Sequence, residues 1–347
     1  MGASRTPDSP WSAALDPSLL RALDAALAAL PAGAAVGVAL SAGADSAVLA
    51  LHAAHAARRL GRSLQCFHIH HGLQAEADGW LTRAHRLAGL LGVGCHSRRV
   101  IVDVDGRGME AAARDARYAA LTELAAHAGV GYLLLAHHQD DQAETVLLRL
   151  LRGTGPLGLA AMRPATARGG LVWLRPWLDQ PRSSILDSAR RFETLSGWQP
   201  VCDPSNADER YARGALRTGL TPVLDARWPA WRRTLARHAA QARDLSDWVD
   251  ETAQADWAGL DPDPDDQAFS LAAWRALPLS RQAPVLRHWL RALGLRMPTE
   301  ARLHAWLRQL RGVHALGHDR DVRLGHEGVW IVVRRGRVLC LSKTQVE

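Results

Sequence analysis

Short apolar runs alternate with longer amphipathic stretches over the first two-thirds of the chain. The apolar runs predict buried strands at Ala35–Leu40, Leu64–Ile69, Val93–Val102, Gly131–Ala136 and Leu171–Leu174. Between them, apolar residues recur at helical spacing, which predicts helices over Ser46–Leu60, Glu76–Leu91, Met109–Ala128 and Gln142–Arg152. A regular alternation of strand and helix is typical of βαβ units. We therefore predict an α/β fold with a doubly wound, mostly parallel sheet.

The pattern changes after Pro200, where helical periodicity replaces the buried strands. An acidic, proline-punctuated segment at Leu260–Asp266 interrupts it, and Val322–Leu341 is rich in β-branched residues. This pattern predicts three parts: a Rossmann-like catalytic domain over residues 1–225, a helical connection and acidic linker over 226–267, and a smaller, mainly helical domain over 268–347.

Composition narrows the possible chemistry. Lys343 is the only lysine among 42 basic residues. A Walker A loop, a protein-kinase site or a Schiff-base enzyme needs an internal lysine, so these classes are excluded. The four cysteines are isolated from one another, which argues against a zinc ribbon and against a disulfide framework. Because no apolar run reaches the length of a membrane span, we expect a cytoplasmic protein with no membrane partner.

The charge is concentrated near the C-terminus. Residues 271–347 carry 14 basic and 5 acidic groups, whereas residues 1–226 carry 23 and 21. An arginine-rich module of this kind suggests a polyanionic partner such as RNA. An ordinary solvated surface is the alternative.

The segment after the first predicted strand is built from small residues. Residues 41–46 read Ser-Ala-Gly-Ala-Asp-Ser and lead directly into a helix. Backbone N–H groups at such a turn can bind an anion, and the hydroxyls of Ser41 and Ser46 add donors. A carboxylate at Asp45 beside a phosphate requires a cation, which points to Mg²⁺ with a nucleotide. The alternative is a tight turn in which Asp45 and Ser46 cap the helix.

This segment resembles the S-G-G-x-D-S motif of the PP-loop ATP pyrophosphatases, which cleave ATP to AMP and pyrophosphate. The resemblance implies that Ser41, Ala42, Gly43, Ala44, Asp45 and Ser46 bind the pyrophosphate of ATP. Ala42 stands where the motif has glycine. A methyl group is tolerable there unless the position needs a positive φ or very close contact with pyrophosphate.

Further blocks are similar to one family in that superfamily, the tRNA(Ile)-lysidine synthetases. They are His68–Leu73 with Glu76, Asp78 and Trp80, then Glu110–Tyr118, Ala136–Thr145, Leu148–Gly158, Arg175-Pro176, Asp203–Asn206 and Tyr211–Pro222. The resemblance covers residues 35–225. Near Arg213, this chain has Gly214 where the family has asparagine.

Asp141 and Glu144 are three residues apart on a predicted helix and share one face, with His137 and His138 directly before them. Two carboxylates in a crevice suit an ammonium group or Mg²⁺, whereas helix capping accounts for one acid at most. The resemblance implies that Asp141 and Glu144 bind the lysine substrate and that His137 lies near the reacting centre.

Arg117 is the candidate for stabilising charge on the α-phosphate of ATP. With Asp45, His137 and Asp141, it completes the predicted catalytic set. Arg213 and Arg217 are predicted to bind tRNA. The histidines at 68, 70 and 71 have no cysteine or carboxylate at ligand spacing, which disfavours zinc.

The activity implied by the resemblance is ATP-dependent ligation of free L-lysine to C2 of the wobble cytidine in an isoleucine tRNA with a CAU anticodon. An adenylated cytidine is the intermediate, and ATP and Mg²⁺ are the expected cofactors. Another PP-loop tRNA-modifying enzyme and a non-catalytic nucleotide- or RNA-binding module are the alternatives.

Overall fold

The computed structural model describes residues 10–72, 76–102, 109–204, 208–263, 268–313 and 322–342. They divide into two compact units, Met1–Arg243 and Asp244–Glu347. The predicted domain boundaries after residues 225 and 267 remain predictions. Over the described ranges, no helix is long and apolar enough to cross a bilayer.

The first unit contains a six-stranded sheet with the order β3-β2-β1-β4-β6-β5. Its strands are β1 (Val36–Ala39), β2 (Leu64–His70), β3 (Gly94–Arg99), β4 (Tyr132–Leu134), β5 (Ala165–Arg168) and β6 (Leu171–Leu174). All neighbours pair in parallel except β5, which is antiparallel to β6. The predicted fold class is therefore confirmed. Strand β5 was not predicted, because its four residues are all exposed at the sheet edge and form no apolar run.

The α-helices of this unit are α1 (Pro17–Ala28), α2 (Ala44–Leu60), α3 (Ala77–Leu91), α4 (Met109–His127), α5 (Gln139–Leu151), α6 (Arg182–Ser196), α7 (Ala212–Ala215), α8 (Thr221–Arg227) and α9 (Trp231–Ala258), the last crossing the division between units. A π-helical turn at Leu216–Leu220 separates α7 from α8. Helix α2 is buried over most of its length because its many alanines and leucines pack closely in the core around the sheet.

The parallel register places the chemistry-bearing loops at one edge of the sheet. Val36 of β1 pairs with Leu64 of β2 on one side and with Tyr132 of β4 on the other. The three strands therefore begin in register and run in the same direction, so the segments that follow them emerge at the same edge of the sheet. In open α/β sheets, ligands bind at this edge, where neighbouring strands lead their connections in opposite directions.

The second unit combines helices with a four-stranded antiparallel sheet of order β7-β10-β9-β8. Its elements are α10 (Leu271–Ala276), α11 (Leu279–Ala292), α12 (Glu300–Gly312), β7 (Phe269–Ser270), β8 (Arg323–His326), β9 (Val329–Arg334) and β10 (Arg337–Ser342). Trp274, Trp289, Leu303 and Ile331 lie in its own apolar core. Leu260, in the predicted linker, is buried in the same core, while residues 264–267 lie outside the described ranges.

Candidate active site

The loop between β1 and α2 is closed by its own serines and leaves a helix end available. The Ser41 and Ser46 hydroxyl oxygens are 3.0 Å apart, and the Ser46 hydroxyl donates to the Gly43 carbonyl at 3.1 Å. Gly43 is the N-cap residue of α2, and no side chain caps this helix. The first N–H groups of α2 are thus available to an anion, as the sequence predicted.

Ala42 has a φ of 65°, in the left-handed region that favours glycine. Its side chain is fully buried, and its carbonyl accepts a hydrogen bond from the Val201 N–H at 2.9 Å. Position 42 therefore does need a positive φ, which is the case in which a methyl group is not readily tolerated. A non-glycine residue in this conformation costs about 1–2 kcal/mol, so the loop is strained at this position.

We expect Ala42→Gly to be less destabilising than Ala44→Gly by about 1 kcal/mol, because only the first change relieves left-handed strain. Both changes remove one methyl group, and Ala44 lies in the first turn of α2, where glycine lowers helix stability. Urea denaturation of the two variants measures the difference. Equal losses of unfolding free energy would contradict a strained Ala42.

His138 lies within a cluster of acids at the start of α5. Its Nε2 is 3.8 Å from Asp45 Oδ2 and 3.3 Å from Asp141 Oδ2. The ring Nδ1 of His138 accepts a hydrogen bond from the backbone N–H of Asp141 at 3.4 Å. The backbone N–H of His138 donates in return to Asp141 Oδ2 at 3.2 Å. Arg182 on α6 adds a second cation, donating through Nε and Nη2 to the Asp45 carboxylate at 3.3 and 3.2 Å.

These contacts shift the pKa values in opposite directions. Burial alone would lower the pKa of His138, but Asp45, Asp141 and Asp140 outweigh burial and raise it. Burial likewise opposes ionisation of Asp45, yet His138 and Arg182 hold the pKa of that carboxyl below its ordinary value. The surrounding acids therefore favour protonation of His138, in competition with the Asp141 N–H, which donates to the neutral form of the ring.

The raised pKa of His138 predicts a pH-dependent contribution to stability. A histidine whose pKa is higher in the folded than in the unfolded protein stabilises the folded state. This contribution is fully present below the unfolded-state pKa of about 6.5, and it is lost as the pH rises through the folded-state pKa. We expect wild-type protein to lose unfolding free energy relative to His138→Asn as the pH is raised above about 6.5. Asparagine still caps α5. Parallel urea-denaturation profiles across this range would contradict the prediction.

Asp141 lines a large cavity, Glu144 is buried one turn further along α5, and arginines pair with both acids. Arg217 binds Glu144 with two hydrogen bonds of 2.6 and 2.9 Å, and its Nη2 lies 3.6 Å from Asp141 Oδ1. Arg213 Nη1 lies 3.9 Å from the same Asp141 oxygen, and Arg213 Nη2 donates to Thr145 at 3.2 Å. The two arginines predicted to bind tRNA therefore point into the pocket, and their contact with RNA remains a prediction.

Gly214 has a steric role between these arginines. A Cβ atom placed on it would lie 2.0 Å from the Asp208 carbonyl oxygen and 2.5 Å from the carbonyl carbon. Backbone atoms cannot swing aside as a flexible side chain can. In this chain, the backbone at residue 208 approaches residue 214 too closely for a side chain, so glycine rather than the family's asparagine fits at position 214.

The predicted residues surround two adjoining cavities. The larger, of about 930 Å³, is lined by Ser41, Gly43, Ala44, Asp45, Ser46, Ala113, His138, Asp141, Arg182, Asp203, Arg213 and Arg217 among others. The smaller, of about 220 Å³, is lined by His71, Ala113, Arg114, Arg117, Tyr118, Leu121, Leu135 and His137. Ala113 lines both. The predicted site residues thus divide between a phosphate-and-acid pocket and a side cavity that holds Arg117 and His137, whereas Ala42 and Glu144 line neither.

Sequence reasoning missed Arg182 entirely and gave His138 no role of its own. Arg182 follows Pro181 at the start of α6, a helix that was not predicted, and no local pattern distinguishes it from the other arginines. His138 is adjacent to Asp140 and Asp141 in the chain, which was an available signal for a charged histidine.

The strand order and the loop after β1 define a PP-loop nucleotide-binding protein, and comparison with known proteins agrees. The family model for the PP-loop domain matches residues 16–224, and the model for the TilS substrate binding domain matches residues 269–339. Among solved structures, a U34-tRNA thiolase from Methanococcus maripaludis superposes with a TM-score of 0.56 at 15% identity, over 65% of this chain and 78% of that one. At this identity, the similarity concerns the fold.

Curated relatives specify the family. The tRNA(Ile)-lysidine synthase of Bordetella pertussis is 55% identical over 92% of this chain and 98% of its own length. That of Ralstonia nicotianae is 47% identical over 81% of this chain and 60% of its own length. The chain belongs to the tRNA(Ile)-lysidine synthase family, whose members are ATP-using PP-loop ligases.

Proposed function

We propose that this protein ligates L-lysine to C2 of the wobble cytidine in an isoleucine tRNA with a CAU anticodon, consuming ATP and releasing AMP and pyrophosphate. The observation that carries the proposal is an uncapped helix end beside Asp45 in the same pocket as a pair of acids on α5, of which Asp141 lines the pocket and Glu144 is buried and ion-paired with the lining residue Arg217. The first suits a triphosphate, and the second suits a substrate with ammonium groups.

In the first step, the cytosine O2 attacks the α-phosphorus of ATP, and the bond to the β-phosphate oxygen breaks. Pyrophosphate leaves against the N–H groups at the start of α2. Arg117 would neutralise negative charge that develops on the α-phosphate. Asp45 and Asp203 are oxygen donors that line the pocket, and such a donor set fits Mg²⁺ bound jointly by protein and phosphates. Bound there, Mg²⁺ would offset charge on the phosphates.

In the second step, the side-chain amine of lysine attacks C2 of the activated base, and AMP leaves with the C2–O2 bond pair. Activation is needed because a ring carbonyl oxygen is a poor leaving group, whereas AMP is a good one. The attacking amine must lose its proton, and His137, Asp141 and water remain the possible acceptors. Burial lowers the pKa of His137 well below its ordinary value, with Arg175 and Arg114 adding to the effect.

The ion pairs that Asp141 and Glu144 make with arginine support a cation site at these two acids. Both carboxylates are buried and both lie beside Arg217. A lysine ammonium entering this crevice would add a positive charge to a balanced cluster. We infer that lysine replaces Arg217 as the partner of Glu144 when it binds. The arginine-rich second unit, which the substrate-binding model matches, is the proposed second contact with tRNA.

The test is a complete reaction with separate measurements of its two steps. Purified protein is incubated with ATP, Mg²⁺, radiolabelled lysine and a CAU-anticodon transcript of isoleucine tRNA. Label in the RNA that depends on ATP supports the proposal. Pyrophosphate release without lysine incorporation would indicate another PP-loop activity, and absence of both would indicate a non-catalytic module. The cytoplasm is the proposed compartment, consistent with free thiols at all four cysteines.

A further inference from the structure

The side cavity contains Arg117 and His137, together with a residue that has no part in the proposed chemistry, His71. His71 directly follows β2, and His137 follows β4, so both rings come from the functional edge of the sheet. Ala113, Leu121 and Leu135 supply apolar walls, and Tyr118 supplies an aromatic ring. At about 220 Å³, the cavity is smaller than the 300–1,000 Å³ typical of drug-sized ligands, which suits a single heterocyclic ring.

Both imidazoles carry an unused ring nitrogen. The Nδ1 atoms of His71 and His137 are buried, and neither has a hydrogen-bond partner among the residues that the structure describes. A buried polar atom left without a partner costs about 1–3 kcal/mol. Two such atoms in residues that line one cavity indicate that a ligand, rather than the protein, completes their hydrogen bonding.

Both rings are neutral at physiological pH. Burial, with Arg117 the next contributor, lowers the pKa of His71 to about 4. Burial followed by nearby arginines also keeps the pKa of His137 well below its ordinary value. A neutral imidazole offers one N–H donor and one acceptor lone pair, whereas a charged imidazole offers donors alone. The cavity can therefore accept a hydrogen bond as well as donate one.

Arg117 adds strong donors without being held elsewhere. Its guanidinium makes no hydrogen bond or ion pair with the described part of the chain, although it contributes to the low pKa of both histidines. The cavity thus combines apolar and aromatic walls with a polar group of one cation and two neutral imidazoles. Enzymes that act on a base extruded from its stack hold it between apolar faces and hydrogen-bond its edge in this way.

We propose that this cavity receives the ring of the target cytosine and that His71 is a specificity residue, accepting a hydrogen bond from the 4-amino group. This inference rests on the proposed function and extends it to recognition of the base. Cytosine presents an amino donor at C4 and acceptors at N3 and O2, which match an imidazole lone pair and a guanidinium. Uracil presents an oxygen at C4, which would face the same lone pair. A ring seated here borders the nucleotide pocket at Ala113, which lines both cavities, so the base would lie next to the proposed site of the phosphates.

The test compares base discrimination in full-length protein and two variants. The rate of adenylation is determined from pyrophosphate release, with transcripts that carry cytidine or uridine at the wobble position. His71→Phe fills the space without a polar atom and should lower kcat/KM for the cytidine transcript by about 10–100-fold, the value of one buried hydrogen bond. The cytidine-to-uridine ratio should fall with it. His71→Asn retains an acceptor and should recover part of the ratio. His85→Phe, on the surface, is the matched control.

A transcript whose wobble base lacks the 4-amino group provides a second measurement that does not depend on the fold of one variant. Wild-type protein should adenylate this base more slowly than cytosine, and His71→Phe should show a smaller penalty, because loss of the amino group and loss of His71 remove the same contact. If the cytidine-to-uridine ratio of kcat/KM is unchanged in folded His71→Phe, the assignment of His71 is overturned. The same holds if loss of the 4-amino group slows His71→Phe as much as it slows wild-type protein. Failure of wild-type protein to adenylate any transcript would instead refute the proposed function.

Discussion

Glu144→Gln should lower lysine incorporation by at least about a hundredfold while RNA-dependent pyrophosphate release persists. Glu144 is buried one turn beyond Asp141, and Arg217 donates two hydrogen bonds to its carboxylate. Glutamine preserves the volume but cannot supply the negative charge that an ammonium needs in a buried crevice. Radiolabelled lysine incorporation and pyrophosphate release, measured in the same samples, separate the two steps.

The control for this prediction breaks the same ion pair from its other side. Arg217→Gln keeps the Glu144 carboxyl group and removes the competing guanidinium, so the KM for lysine at saturating RNA should be no higher than in wild-type protein. Glu123→Gln, which removes an exposed partner of Arg98, should leave both steps unchanged. If Glu144→Gln and Arg217→Gln lose lysine incorporation equally, the acid serves the local fold rather than the substrate.

Asp45→Asn should reduce both steps by about a thousandfold, because nothing downstream can proceed without the adenylated base. The change removes a carboxylate from the phosphate loop and leaves Arg182 and His138 without their shared partner. Ionised Asp45 is also the residue that we expect to bind Mg²⁺. Pyrophosphate release is the primary measurement, with lysine incorporation following it.

The comparison for Asp45 is Asp24→Asn, which removes an ion pair with Arg59 on the surface of the same unit. This variant should retain full activity. Thermal unfolding distinguishes a lost reaction from a lost fold. Pyrophosphate release by folded Asp45→Asn at more than about a tenth of the wild-type rate would show that the phosphate loop acts without its acid.

The strands and helices of the first unit were largely predictable because their signals are local. Leu171–Leu174 was predicted with its observed bounds, and α2 and α3 begin within two residues of their predicted starts. Helix α6 was missed although its buried residues, Ile185, Ser188 and Phe192, recur at helical spacing. Three arginines and several polar residues dilute that pattern, so its apolar face is narrow.

The loops that follow β1, β2 and β4 lie at one edge of the sheet, as the alternation of strands and helices predicted, since parallel strands run in one direction. Their partners were not predictable in the same way. Arg213 and Arg217 carry no local mark that distinguishes a guanidinium facing solvent from one paired with a buried acid. The left-handed backbone of Ala42 was likewise hidden, because no local pattern marks it and its carbonyl accepts a hydrogen bond from Val201, far along the chain.

The sequence by itself determined the α/β class, the phosphate loop and the two acids on one helix face, because each depends on the spacing of neighbouring residues. Tertiary structure alone decided that Arg182 pairs with Asp45, 137 residues away, and that Arg217 pairs with Glu144, 73 residues away. It also enclosed His71 and His137 in one cavity. Such pairings depend on the path of the backbone between strand ends and on the exclusion of water around them, and neither is encoded at a fixed spacing in the chain.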